Sequence, residues 1–159
     1  MTRTRYPSRS DRDGIAALIR RGPFRPEEIA CALELLDAAV SRTDTYEALL
    51  TEDAVTSTPL AYACFGATPM TEATFDLYWI AVAPEHQGRG LGRALLAHLE
   101  EQLTARGART LRIETSSLEG AGGAARFYAR QGFSEVGRID DFYRMGDHLL
   151  TFAKRLAPA

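Results

Sequence analysis

Residues 75–97 read FDLYWIAVAPEHQGRGLGRALLA, and the fold follows from how this stretch changes character along its length. Phe75 to Val82 is an apolar run of strand length that stops at Pro84. A polar segment follows, with Gly88, Gly90 and Gly92 at alternate positions. A helical pattern comes next, with Leu91, Leu95, Leu96 and Leu99 on one face. A strand that turns through glycines into a helix is a place to hold phosphate. Glycine has no Cβ, so backbone N–H groups can approach a ligand closely. The first helical turn adds unpaired N–H groups and the positive end of the helix dipole. The chemistry this predicts is binding of a pyrophosphate-bearing cofactor.

Upstream, residues 2–6 read as a short strand. Ser10 followed by Asp13 resembles a capping box, opening a helix that carries Ile15, Leu18 and Ile19 and ends near Gly22. Pro26, Glu27 and Glu28 suit the first turn of a second helix with an apolar stripe at Ile29, Leu33, Leu36 and Val40. Residues 46–51 and 59–65 read as strands joined by a polar turn around Asp53, and 66–73 as a loop. Downstream, the helix over about 90–106 stops at Gly107. Residues 110–115 alternate as a strand, and a short helix over 124–131 stops at Gly132. Residues 133–139 and 149–155 read as two last strands around an acidic, aromatic loop, Asp140 to His148. The order β-α-α-β-β-β-α-β-α-β-β predicts an α/β mixed sheet with helices on its faces. The strands 74–82 and 110–115 should be parallel, because a helix joins them.

The chain of 159 residues is expected to form one domain, 1–159, with an ordinary content of hydrophobic (45%) and charged (25%) residues. Its net charge of −2 gives no overall pull toward nucleic acid or an anionic membrane. Arg3, Arg5, Arg9 and Arg12 alternate with Asp11 and Asp13 and read as a solvated surface. No stretch approaches the ~18 apolar residues of a membrane span, and MTRTRYPSRSD lacks the apolar run of a signal peptide. The expected compartment is the cytoplasm. Cys31 and Cys64 lie in apolar segments and read as packed thiols. His86, His98 and His148 fit no metal-ligand spacing, so no metal is expected.

Two other phosphate loops compete for the glycines. A dinucleotide fingerprint needs a third glycine where Arg93 stands, and an acidic residue earlier than Glu114. A nucleotide-triphosphate loop needs a lysine after its last glycine, and none follows here. Gln87-Gly88-Arg89-Gly90-Leu91-Gly92 instead resembles the Q/R-x-x-G-x-G/A signature of the GNAT superfamily, the acyl-CoA-dependent N-acyltransferases. Val82-Ala83-Pro84-Glu85 resembles the end of that family's fourth strand. Phe127 through Phe133 (FYARQGF) resembles its second signature, a tyrosine on a short helix ahead of Gly-Phe. The element order matches over essentially the whole chain.

The resemblance implies the GNAT fold, a central mixed sheet splayed between its fourth and fifth strands, with an acetyl-CoA site in the gap. Backbone groups of Ile80, Ala81 and Val82 would pair with the pantetheine, and one N–H would polarise the thioester carbonyl. Gln87, Gly88, Arg89, Gly90, Leu91, Gly92 and Arg93 would hold the pyrophosphate, the two arginines through charge-assisted contacts. Tyr128 is the candidate general acid toward the departing thiolate. Glu114 is the candidate base for the attacking ammonium, with an ion pair to Arg112 as its structural alternative and Asp76 as a second candidate base. Tyr78 shares the strand face of Asp76 and could line the acceptor pocket. That pocket is expected from Phe24 through Glu28 and from the loop Asp140 to His148, with Phe24, Asp76, Tyr78, Asp141 and Tyr143 as its contacts. Acidic groups with aromatic walls suit a cationic amine. One departure stands out: the family often has an asparagine seven positions before the tyrosine, and Ala121 stands there. Ser116, Ser117 or backbone groups are the candidate replacements.

The expectation is an N-acetyltransferase acting by direct attack through a ternary complex on a small primary amine or amino acid, with acetyl-CoA as cosubstrate. Neither cysteine occupies a position expected of a covalent intermediate. The alternatives are a non-catalytic acyl-CoA-binding module, an acyltransferase for a longer acyl-CoA, and a protein amine as acceptor. Homodimers are common in the family, so a second copy of the chain is the expected partner; neither nucleic acid nor membrane is.

Overall fold

The structure, a computed structural model, describes residues 1–118 and 123–157. The expectation at Ala121 lies outside the described residues. In chain order the elements are β1 (Thr2–Arg5), α1 (Arg12–Arg20), α2 (Pro26–Ser41), β2 (Tyr46–Asp53), β3 (Pro59–Ala67), β4 (Thr74–Val82), α3 (Leu91–Ala105), β5 (Thr110–Ser116), α4 (Ala124–Arg130), β6 (Ser134–Arg144) and β7 (Asp147–Arg155). The strands form one sheet in the order β1-β2-β3-β4-β5-β7-β6. The β4–β5 pair is parallel, as the crossover through α3 requires, and the other pairs are antiparallel. Among the described residues no helix is long and apolar enough to cross a membrane.

Each sheet face carries its own core. On one, Leu95, Leu96, Leu99 and Leu103 of α3 pack against Leu49, Phe65, Leu77, Leu111 and Ile113. On the other, Ile15 and Ile19 of α1 and Leu36 of α2 cover Leu50, Tyr62 and Cys64. Burial pushes the Cys64 thiol up to about 12.

β4 contains the feature that opens the site. Cys64 pairs with Trp79 and Phe65 with Leu77, so Tyr78 is an extra residue, a β-bulge. The bulge shifts the strand's alternation by one. Phe75, Leu77, Ile80 and Val82 face α3, whereas Tyr78 and Trp79 both belong to the α1–α2 side. Pairing between β4 and β5 runs from Thr74–Thr110 to Leu77–Ile113 and ends where the bulge begins.

Three sequence expectations change. The capping interaction at the first helix lies two residues earlier, where the N–H and Oγ of Ser8 donate to Asp11 at 2.7 and 2.8 Å. The predicted loop Asp140 to His148 is mostly strand: β6 continues to Arg144 and β7 begins at Asp147, with irregular register between Ile139 and Arg144. Its polar composition reads as loop because β6 is an edge strand with almost every residue exposed, so no apolar alternation marks it. Finally, Arg3 and Arg5 are not free surface charge. Both bond the fully buried Glu52 carboxylate, and Arg5 also grips Asp11 through two 2.8 Å bonds. The guanidinium of Arg5 holds both carboxyls below their ordinary values.

That network ties the edge strand β1 to β2 and generates a prediction. Removing one partner of a buried charge pair leaves the other uncompensated, so Glu52→Ala should cost about 3 kcal/mol near neutral pH. Because the folded-state values are depressed, the stabilisation is complete above the ordinary carboxylate range and fades as pH falls below about 4.5. Urea unfolding should therefore show a smaller gap between wild type and Glu52→Ala at about pH 3 than at about pH 7. An equal gap at both would show that the charge pair is not what stabilises this corner.

Candidate active site

Beyond the Leu77–Ile113 pair a cleft of about 860 Å³ separates β4 from β5. The glycine turn, the start of α3 and one face of α4 border one end. The α1–α2 loop, the first turns of α2, the end of β5 and Tyr143 border the other.

The β4 wall is backbone. The N–H of Ala83 donates to Leu60 O on β3 at 2.8 Å. Antiparallel alternation then points the N–H of Ala81 toward β3 as well and turns the polar groups of Ile80 and Val82 into the cleft. The Gln87 amide folds back and donates to Val82 O at 3.3 Å, consistent with that direction. Gly88 and Gly90 have φ of 71° and 82°, in the left-handed region that L side chains rarely adopt. Gly90 caps α3, accepting from Ala94 N–H at 2.9 Å. Gly92 serves a different purpose: a Cβ there would lie 3.4 Å from Val82 and 3.6 Å from Phe127, so this is where α3 passes close to both β4 and α4. Gln87, Gly88, Gly90, Leu91, Gly92 and Arg93 line the cleft; Arg89 does not.

Tyr128 projects from α4, boxed by Phe127, Phe133 and Phe152 with ring centroids 5.4, 5.8 and 6.1 Å away. It is buried, lines the cleft, and its hydroxyl has no hydrogen bond to a described residue. Burial alone pushes the phenol well above its ordinary value, which keeps it protonated and able to donate.

The opposite end is charged and aromatic. Phe24 meets Trp79 edge-on at 5.0 Å, and Tyr78 meets Tyr46 at 5.2 Å. Burial, aided by Asp76, pushes the Tyr78 phenol up to about 12. Glu114 is about half exposed, 3.6 Å from Arg112. Asp76 also lines the cleft, but both oxygens are taken, one by Arg112 Nε at 2.5 Å and one by Thr68 Oγ1 at 2.8 Å. Asp141 does not line the cleft: it sits at φ 52° in the β6 irregularity and accepts from Gly146 N–H at 2.7 Å, capping its own turn. Tyr143 does line it, its phenol raised first by burial and then by Glu114 and Asp147. Of the two candidate replacements for the asparagine, the Ser116 hydroxyl bonds the buried Asp147, and the Ser117 hydroxyl oxygen accepts from the His148 N–H at 2.9 Å.

Sequence reasoning missed part of the α2 wall. Glu27, Cys31 and Leu35 recur every four residues on one helical face, and that face lines the cleft. Cys31 is thus exposed, not packed as expected; Cys64 is buried. Arg25 bridges the two walls, with its guanidinium 5.8 Å from the Tyr143 ring centre and 3.9 Å from Asp147. Among the described residues no three His, Cys, Asp or Glu side chains converge to hold a metal ion.

Residues 45–135, more than half of the chain, match the family model described as an acetyltransferase (GNAT) domain. Over 85 residues the chain is 38% identical to the [ribosomal protein bS18]-alanine N-acetyltransferase of Escherichia coli K12. That match covers 54% of this chain, and the chain spans about half (56%) of the relative's length. A crystal structure of a GNAT-family acetyltransferase from Desulfovibrio desulfuricans superposes with a TM-score of 0.90 at 36% identity, covering 99% of this chain and 100% of that one. An aminoglycoside 6′-N-acetyltransferase solved in complex with coenzyme A shares the fold with a TM-score of 0.77 at 17% identity, covering 99% and 98% of the two chains.

The glycine turn gives a test of the backbone argument in the free protein. Gly90→Ala puts a Cβ on a left-handed residue and should cost about 1 kcal/mol. Gly92→Ala, inside the helix with only ordinary contacts ahead of its Cβ, should be neutral or slightly stabilising. Urea midpoints of the two variants separate these effects; equal losses would refute the conformational account.

Proposed function

This chain belongs to the GNAT acetyltransferase family, and from that premise we propose that it transfers an acetyl group from acetyl-CoA to a primary amine by direct attack in a ternary complex. The observation that carries the reading is Tyr128, a buried phenol without a described hydrogen-bond partner, lining the same cleft as the glycine turn and Glu114. In this reading the pyrophosphate lies against the turn Gln87 to Arg93 and the pantetheine along Ile80 and Val82, in the direction their backbone N–H and C=O groups point. A backbone N–H of that stretch donates to the thioester oxygen as charge develops there. Glu114 accepts the ammonium proton, the nitrogen–carbon bond forms, and, as the carbon–sulfur bond breaks, the second nitrogen proton leaves with the thiolate or to solvent. Tyr128 donates toward the departing sulfur. Its phenol is less acidic than a thiol, so it stabilises the developing thiolate by hydrogen bonding more than by complete proton transfer.

The acceptor in this proposal is a small amine or amino acid. The support is chemical: Glu27, Glu28 and Glu114 attract an ammonium group, and Phe24, Tyr78 and Tyr143 supply apolar walls. A second reading, the amino terminus of a protein, is favoured by the 38% identity to an enzyme named for acetylating a ribosomal protein's alanine.

Titration calorimetry should show saturable acetyl-CoA binding, and its absence would sink the proposal. A thiol-release screen over amino acids, polyamines, aminoglycosides and alanine-initiated peptides should find turnover with at least one class. Binding without release across the panel would favour a non-catalytic module, and stronger binding of a longer acyl-CoA would redefine the donor. With the acceptor found, Tyr128→Phe should lower kcat about tenfold with a smaller change in the acetyl-CoA KM, and Glu114→Gln should lower kcat about a hundredfold. Wild-type turnover in either variant removes that residue from catalysis.

A further inference from the structure

Asp76 and Arg112 face each other across β4 and β5 in the next-to-last paired position before the strands part. They lie at the vertex of the cleft and both line it. Arg112 Nε donates to one Asp76 oxygen at 2.5 Å, and Thr68 Oγ1 donates to the other at 2.8 Å. Asp76 is 6% exposed, so this end of the assembly is fixed. The far side of the same guanidinium, Nη1, lies 3.6 Å from Glu114 Oε1, two residues further along β5 on the same face. One cation therefore spans two carboxylates, gripping the buried one and touching the exposed one.

We infer that Asp76 and Arg112 are positioning residues for Glu114: Asp76 anchors the guanidinium across the vertex, and the guanidinium holds the Glu114 carboxylate along the cleft wall. The inference rests on reading Glu114 as the base. The geometry resolves a conflict in that reading. A base paired closely with an arginine would hold its negative charge too firmly to take a proton. Here the close hydrogen bond goes to Asp76, and Glu114 keeps a longer contact that orients it without saturating it. Asp76 acts through Arg112 and does not itself touch substrate.

Other charged and titratable groups share this end of the cleft. Tyr143 on β6, Tyr78 on β4, and Arg25 and Glu28 at the start of α2 line it with Glu114, and the Tyr143 phenol feels the Glu114 carboxylate. Among the described residues Arg112 is the cation within ion-pair distance of Glu114.

The test is carbon-13 relaxation NMR of the protein labelled at its glutamate side chains, with Glu114→Gln identifying the resonances. Arg112→Gln should make the Glu114 side chain measurably more mobile, and Asp76→Asn should do the same because the guanidinium then loses its fixed end. Arg112→Lys, which keeps a charge but not the two-sided guanidinium, should fall between wild type and Arg112→Gln. Unchanged Glu114 mobility in Arg112→Gln or in Asp76→Asn overturns the inference. If Arg112→Gln does not fold, Asp76→Asn carries the test alone: a mobilised Glu114 supports the inference and an unchanged one overturns it. Acetyl-CoA calorimetry on the wild type runs beside these measurements, so a failed functional reading shows as lost binding while the Glu114 mobility still judges the anchoring pair.

Discussion

One extra residue in β4 governs the architecture of the site. A sheet strand must pair on both edges or find other partners for its N–H and C=O groups. At Tyr78 the bulge keeps β4 in register with β3 while it leaves β5, so pairing persists on one edge and stops on the other. An unpaired edge inside a sheet is normally a hazard. Here α3, α4 and the first turns of α2 border it, and it becomes the wall of a cleft. The same insertion puts Tyr78 and Trp79 on one face and returns Ile80 and Val82 to the other, so the α3 core stays continuous across the break. Opening the sheet thus costs backbone pairing without costing the apolar core.

Much of this was legible in residues 74–92, for physical reasons. A strand ending at proline and turning through glycines has few alternative conformations, and Gly88 and Gly90 sit where a positive φ favours glycine. Even the bulge leaves a trace. Phe75 and Leu77, then Ile80 and Val82, are the residues that must share a face, and their spacing breaks period two between Leu77 and Ile80. By contrast, β6 was misread beyond Ile139 because an exposed edge strand carries no burial pattern, and acidic residues favour turns locally. The capping position slipped by two residues because Ser8 and Ser10 offer equivalent chemistry, and the choice depends on Arg5 reaching Asp11.

What local pattern could not supply was the partner of each charge. Nothing in the sequence marks Glu52, Asp76 or Asp147 as buried, yet each is. Glu52 answers to Arg3 and Arg5, forty-odd residues earlier, and Asp76 to Arg112 on the neighbouring strand. Such pairs form because sheet register brings distant positions together, and register is set by the whole chain. Asp76 is the instructive case. Its type and strand face suggested a base or substrate contact, and in the structure Thr68 and Arg112 each donate to one of its oxygens.

The two ends of the cleft are consequently built on different principles. The glycine end presents backbone groups whose direction is set by strand alternation and helix geometry. The other end relies on side chains from elements that do not adjoin in sequence. Arg25 connects two of them, because its guanidinium lies against Tyr143 on β6 and near Asp147 on β7 while its backbone N–H caps α2 through Glu28 at 2.7 Å. The α1–α2 loop and the β6–β7 hairpin cannot shift independently while those contacts hold. On the proposed function that end meets the acceptor, so altering acceptor preference calls for substitution in both segments together.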